Sequence, residues 1–179
     1  AACLREVEAL ARDCAGGPAL GVGGLWLEGT QLHNAWFVLK DGRIAATMLK
    51  HHLPNYLVFD ELRTFTSGPI SGPYAVGPMR LGTPVCEDAW YPDVAETLAE
   101  TGAEVLLVPN GSPYYREKLE VRFNHMVARV VETGLPLVYL NMVGGQDDQV
   151  FDGGSFVLNP GGTLAVQMPV MEEALAHVD

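Results

Sequence analysis

The feature that most constrains this chain is an alternation of apolar runs and helical patterns that begins at Met79. MRLGTPVC reads as a strand, PDVAETLAETG as a helix closed by Gly102, and EVLLVPN as a buried strand. YYREKLEVRFNHMVARVVETG then reads as a long helix closed by Gly134, followed by the strand LPLVYLNMV. Nearly continuous apolar strands alternating with helices imply a sheet covered by helices, an α/β architecture. Beyond it GGQDDQVFDGG reads as a loop, SFVLNP as a strand, Gly161-Gly162 as a turn and TLAVQMPV as a last strand.

Ahead of Met79 the pattern differs. AACLREVEALARDCA alternates apolar and charged positions as an amphipathic helix does, which excludes a signal peptide or a spanning segment. ALGVGGLWLEG reads as a buried strand. NAWFVLK and RIAATMLK are joined by Asp41-Gly42, a strong hairpin signal, and that hairpin is expected at the edge of the sheet. The stretch from His51 to Pro78 is long, irregular and rich in Pro, Gly and aromatic residues, which points to a functional loop. With no linker or internal repeat, residues 1–179 are read as one α/β domain.

Apolar residues make up 48% of the 179 and charged residues 18%, so the chain can build a core and is not a disordered segment. Eleven Lys and Arg against 22 Asp and Glu leave a net charge of −11, which makes nucleic acid and anionic membranes poor partners. Cys3, Cys14 and Cys86 cannot all pair and match no zinc spacing, so a reducing, cytoplasmic location is expected. Trp26 and Leu27 after the glycines at 21, 23 and 24 break any dinucleotide fingerprint.

In α/β sheets ligands gather beyond the carboxyl ends of strands, which singles out four places. Cys86 follows a strand, where backbone N–H groups and a nearby cation would favour its thiolate. A buried structural thiol is the other reading. Lys50 closes a hairpin strand and would stabilise an oxyanion if set beside a thiol; otherwise it is a solvated charge. Glu61, in FDELR, is either functional or a loop ion pair with Arg63 or Lys50. Ser112 in NGSPYYREK is read as the cap of the following helix, with Lys118 one to two turns in. His51 and His52 keep a Cys–His alternative open.

Together the strings KHHLPNYLVFDE, TPVCEDAW, NGSPYYREK and YLNMVGGQDDQVFDGGSFVLNPGG resemble the glutaminase domain of glutamine-dependent NAD synthetases, in the nitrilase or carbon-nitrogen hydrolase superfamily. The resemblance implies an α-β-β-α sandwich, here expected to lack its N-terminal strand and helix. It implies Cys86 as nucleophile, Lys50 as the oxyanion-stabilising cation and Glu61 as a supporting glutamate. Tyr56, Ser112 and Lys118 are similar to positions that hold L-glutamine, and Glu87 would orient its amine or a neighbouring turn. The family's general-base Glu sits in an F-P-E setting that is absent from this sequence. A fragment of a longer enzyme, a piece completed by a partner chain and a non-catalytic remnant are the open accounts. No cofactor is expected in this domain: ATP, Mg and nicotinic acid adenine dinucleotide would bind a synthetase domain of the parent chain. A homo-oligomer is also implied. A stand-alone amidase acting on another small amide is the competing enzyme.

Overall fold

The structure is a computed structural model, and residues 2–178 are described. It divides into two compact units, one up to Ser71 and one from Gly72 onward.

In the first unit helix α1 (Ala2–Asp13) precedes strands β1 (Leu20–Glu28), β2 (Gln31–Lys40) and β3 (Arg43–Leu49). The strands form an antiparallel sheet in the order β1-β2-β3. It is a sheet in its own right, not an edge hairpin of the larger one. Asp41 and Gly42 both adopt positive φ (51° and 77°), the primed-turn geometry whose twist matches that of paired strands. Val7 and Ala11, one turn apart on α1, pack against Ala35, Phe37 and Leu39, alternate residues of β2. Strand β1 is mostly exposed, contrary to its buried reading: its glycines supply no side chain to the core, and Leu25 and Leu27 stand open.

The loop after β3 is tied to this sheet. Thr66 N–H donates to Leu32 O (2.7 Å), Gly68 N–H to Lys50 O (2.9 Å) and His33 Nδ1 to Thr66 O (2.8 Å). Within the loop Glu61 N–H donates to Pro54 O (3.1 Å), and Thr64 N–H returns to Glu61 O (3.0 Å), closing a single 3-10 turn at Glu61–Arg63, with Phe65 N–H on the same carbonyl (2.8 Å). The Pro- and aromatic-rich composition thus builds a fixed platform for Glu61.

The second unit contains β4 (Tyr74–Val76), β5 (Met79–Gly82), α2 (Pro92–Glu100), β6 (Val105–Asn110), α3 (Lys118–Thr133), β7 (Leu137–Asn141), β8 (Val143–Gln146), β9 (Gln149–Asp152), β10 (Phe156–Leu158) and β11 (Leu164–Gln167). Its six-stranded sheet has the order β11-β10-β7-β6-β5-β4, with β5, β6 and β7 parallel. Helices α2 and α3 are the two crossovers. Gly102 (φ 94°) follows α2 and Gly134 (φ 72°) caps α3, as the helix-ending glycines predict.

Three local readings are corrected. The strand read as MRLGTPVC ends at Gly82, and Cys86 opens a 3-10 turn, Cys86–Trp90. Pro84 has no N–H to extend the ladder. Among the described residues the β5 ladder ends at Leu106 of β6, and Pro109, lacking an N–H, is tolerated on the edge beyond it. The loop read at GGQDDQVFDGG is an antiparallel hairpin, β8 with β9, turning at Asp147 in the left-handed region (φ 52°). Its two glycines and polar residues carry too little alternation to be recognised as strand. Helix α3 begins at Lys118 rather than near Ser112, with left-handed Glu117 (φ 69°) as its N-cap. Proline after Ser112 disfavours helical backbone there. Among the described residues, no helix is long and apolar enough to cross a membrane.

Candidate active site

The expected site residues fall into two groups, one in each unit. In the first unit Lys50 Nζ lies 2.6 Å from Glu61 Oε1. Lys50 is 2% exposed, so the charge read as either solvated or functional is buried and paired. Glu61 Oε2 is also buried and has no hydrogen-bond partner among the described residues. The ion-pair reading of Glu61 is therefore correct, with Lys50 as partner; Arg63 pairs instead with Asp60 at 2.8 Å on the surface. Pairing does not compete with chemistry, because a carboxylate that fixes a buried ammonium also aims it. Tyr56 stands on the same loop, its ring edge-on to Phe59 at 5.8 Å and partly exposed. His51 donates Nδ1–H to Gly68 O (2.7 Å), which gives that nitrogen a structural task in the loop.

In the second unit Cys86 has φ 52°, a conformation rare for a residue with a Cβ. A tight ring beside it holds that shape: Val85 N–H donates to Asp88 Oδ2 (3.0 Å) and Asp88 N–H to Val85 O (3.1 Å). Asp88 and Glu87 are both buried. Acidic neighbours would oppose a thiolate without a cation, and Lys118 supplies one. Its ammonium lies 4.2 Å from the centre of the Trp90 ring and 4.7 Å from that of Tyr115, a cation–π cradle of two aromatic faces. Burial and then Arg122 push the Lys118 ammonium below its usual value, while Cys86, Glu87 and Asp152 pull it back up. Lys118 is thus within electrostatic reach of both Cys86 and Glu87.

Ser112 is buried but does not cap α3; its N–H donates to Asn141 Oδ1 (2.9 Å) and its Oγ accepts from Arg122 Nε (3.1 Å). Arg122, Asn141 and Asp152 are the residues that reading the sequence missed. A signal was present: Lys118, Arg122 and Met126 recur every fourth residue along α3, and all three are buried. A cation on an apolar stripe requires a buried acceptor. His125, stacked on Trp90 at 4.2 Å, was also missed. Tyr139, fully buried in β7, has its phenol raised by burial and stays neutral.

A cysteine in a left-handed turn beyond the end of β5 and a buried lysine opening α3 are set on one α/β unit. Residues 1–179 match the carbon-nitrogen hydrolase family, and the chain belongs to it. It is 64% identical over 176 residues to the glutamine-dependent NAD(+) synthetase of Rhodobacter capsulatus, covering 98% of this chain and 32% of that protein. The glutamine-dependent NAD+ synthetase of Acinetobacter baumannii superposes with a TM-score of 0.89 at 33% identity, over 96% of this chain and 32% of that one. A mutant amidase from Nesterenkonia sp. AN1 carries the acetamide moiety of fluoroacetamide covalently added at its active-site cysteine. It superposes with a TM-score of 0.78 at 28% identity, over 92% of this chain and 61% of that one. The fold is that of the nitrilase superfamily. The chain spans about a third of the length of the Rhodobacter relative it matches.

Proposed function

We propose that this segment hydrolyses the side-chain amide of L-glutamine through a thioester on Cys86, and that the ammonia released serves NAD synthesis from nicotinic acid adenine dinucleotide. The observation that carries the reading is the Cys86 turn: a cysteine in a left-handed conformation beyond the end of β5, next to the buried Glu87 and within electrostatic reach of the Lys118 ammonium. The likeness to two glutamine-dependent NAD synthetases supports glutamine over other small amides.

In this mechanism the Cys86 thiolate attacks the amide carbon, forming a C–S bond and a tetrahedral oxyanion. The resemblance assigns the stabilisation of that oxyanion to the Lys50 ammonium, which Glu61 pairs. The C–N bond then breaks, ammonia leaves with a proton delivered by a general acid, and water cleaves the thioester to glutamate and free thiol. Ser112, Lys118 and Tyr56 would hold the amino-acid end of the substrate, and Glu87 its ammonium or the adjoining turn. The resemblance assigns the proton transfers to a glutamate in an F-P-E motif, which residues 1–179 do not contain. Such help is worth roughly 10²–10⁴ in rate, so residues 1–179 alone are expected to be a weak hydrolase. ATP, Mg and the dinucleotide would be handled by a synthetase domain of the same parent chain, in a cytoplasmic oligomer.

The test is to treat the complete protein that carries this segment with a glutamine-mimicking electrophile and map the adduct by mass spectrometry. A glutamyl-type adduct on Cys86, together with faster ammonia release from glutamine than from aliphatic amides, is expected. Faster release from aliphatic amides would favour a stand-alone amidase, and absence of both adduct and turnover would leave a non-catalytic module.

A further inference from the structure

The buried network around Arg122 explains how the Ser112 turn is held, which none of the expected roles accounts for. Arg122 is fully buried. Its Nη1 donates to Asp152 Oδ1 (2.8 Å), its Nε to Ser112 Oγ (3.1 Å), and its Nη2 to the carbonyls of Ser112 (2.7 Å) and Pro113 (3.2 Å). Asn141 grips the same turn from β7, accepting Ser112 N–H on Oδ1 (2.9 Å) and donating Nδ2 to Ser112 O (3.2 Å) and Gly153 O (3.2 Å). The Ser112 N–H, its carbonyl and its Oγ lone pair are thereby all engaged by Arg122 on α3 and Asn141 on β7, with Asp152 at the end of β9 holding Arg122.

We propose that Arg122 is a positioning residue for substrate recognition, clamped by Asp152 and acting through Ser112. The assignment follows from hydrogen-bond bookkeeping. Because Arg122 is donor-only, Ser112 Oγ must accept from it, and the hydroxyl proton is then left to donate elsewhere. The buried Tyr139 phenol lies beside that hydroxyl, so Arg122 fixes Ser112 as part of a rigid turn. The charge there that suits a substrate carboxylate is Lys118, one turn earlier on the same helix as Arg122. Only a planar fork can serve Asp152, Ser112 Oγ and two backbone carbonyls at once, so lysine cannot replace it.

This inference rests on the reading of Ser112 as a glutamine-holding residue, and the experiment separates the two. In the complete protein, Arg122→Lys keeps the charge opposite Asp152 and loses the fork. We expect KM for glutamine to rise at least tenfold with kcat within threefold of wild type, and the Ser112→Ala/Arg122→Lys double variant to show a KM no more than about threefold above Ser112→Ala alone. In parallel, hydrogen exchange should show lost protection of the Ser112 amide with the sheet amides unchanged. If Arg122→Lys does not melt cooperatively, Asp152→Asn, which keeps the clamp's shape, is expected to give the same KM-only signature. A KM within threefold of wild type, a KM rise that multiplies fully with that of Ser112→Ala, or unchanged exchange at Ser112 overturns the proposal. A wild-type protein that does not hydrolyse glutamine sinks the functional reading instead, and the exchange measurement then decides by itself whether Arg122 holds the turn.

Discussion

Lys50 Nζ and Glu61 Oε1 are 2.6 Å apart, the lysine buried in the sheet of the first unit and the glutamate on the loop that follows it. Lys50→Met leaves a largely buried carboxylate without its counter-charge. Removing one partner of a buried pair typically costs about 3–5 kcal/mol, and the partial exposure of Glu61 places this case near the lower figure. Glutamine turnover should fall by roughly 10²–10³ as the oxyanion loses its cation. Urea melts and steady-state ammonia release measure the two effects. Full turnover in the variant would remove Lys50 from the chemistry.

Cys86→Ala and Cys86→Gly should both abolish glutamine-dependent activity in the complete protein and spare synthesis from added ammonia. They should differ in stability, because only glycine adopts the φ of 52° without steric cost. Cys86→Gly is expected to be the more stable by about 1 kcal/mol. Equal melting midpoints would show that this backbone carries no strain.

The His125 imidazole is held below its usual value, first by burial and then by the Arg129 and Lys118 charges, against an opposing pull from Glu87. Between that lowered value and the unfolded value of about 6.5 the unfolded chain binds the extra proton, so stability falls as pH drops through this window. His125→Phe keeps a ring against Trp90 and removes the titration. The difference in melting temperature between wild type and variant should be flat above pH 7 and should turn against the wild type below about pH 6.5. A difference independent of pH would contradict the assignment.

Gly68→Ala should destabilise the protein. A Cβ there would overlap the Leu49 side chain and lie 3.2 Å from the Leu49 carbonyl carbon and oxygen, which are backbone and cannot swing away. Such overpacking costs about 1–3 kcal/mol. Limited proteolysis should then cut between residues 51 and 70 faster than in wild type.

Much of this was legible in the sequence because each signal was local. Asp41-Gly42 specified its turn, Gly102 and Gly134 ended their helices, and the apolar runs of β6 and β7 specified a parallel sheet. What escaped detection depended on groups distant along the chain. Arg122 and Asp152 are 30 residues apart, and neither has meaning without the other. Ser112 looked like a helix cap because Ser before a helical pattern usually is one, yet the left-handed Glu117 delays the helix to Lys118. The β8–β9 hairpin was invisible because its glycines erase the period on which strand recognition relies. Lys50 and Glu61 were both singled out, and their contact removed the solvated-charge reading of Lys50 and chose Lys50 over Arg63 as the partner of Glu61.

The left-handed turn at Cys86 has a last consequence. The positive φ fixes the direction of the Cα–Cβ bond, and Asp88 closes a ring on Val85 next to it, so the backbone leaves the sulfur one torsion. During acylation and hydrolysis the carbon under attack must pass between trigonal and tetrahedral shapes twice. In the proposed reaction those excursions would fall on the small acyl group, with a single torsion of Cys86 left to follow them and no movement of the main chain required.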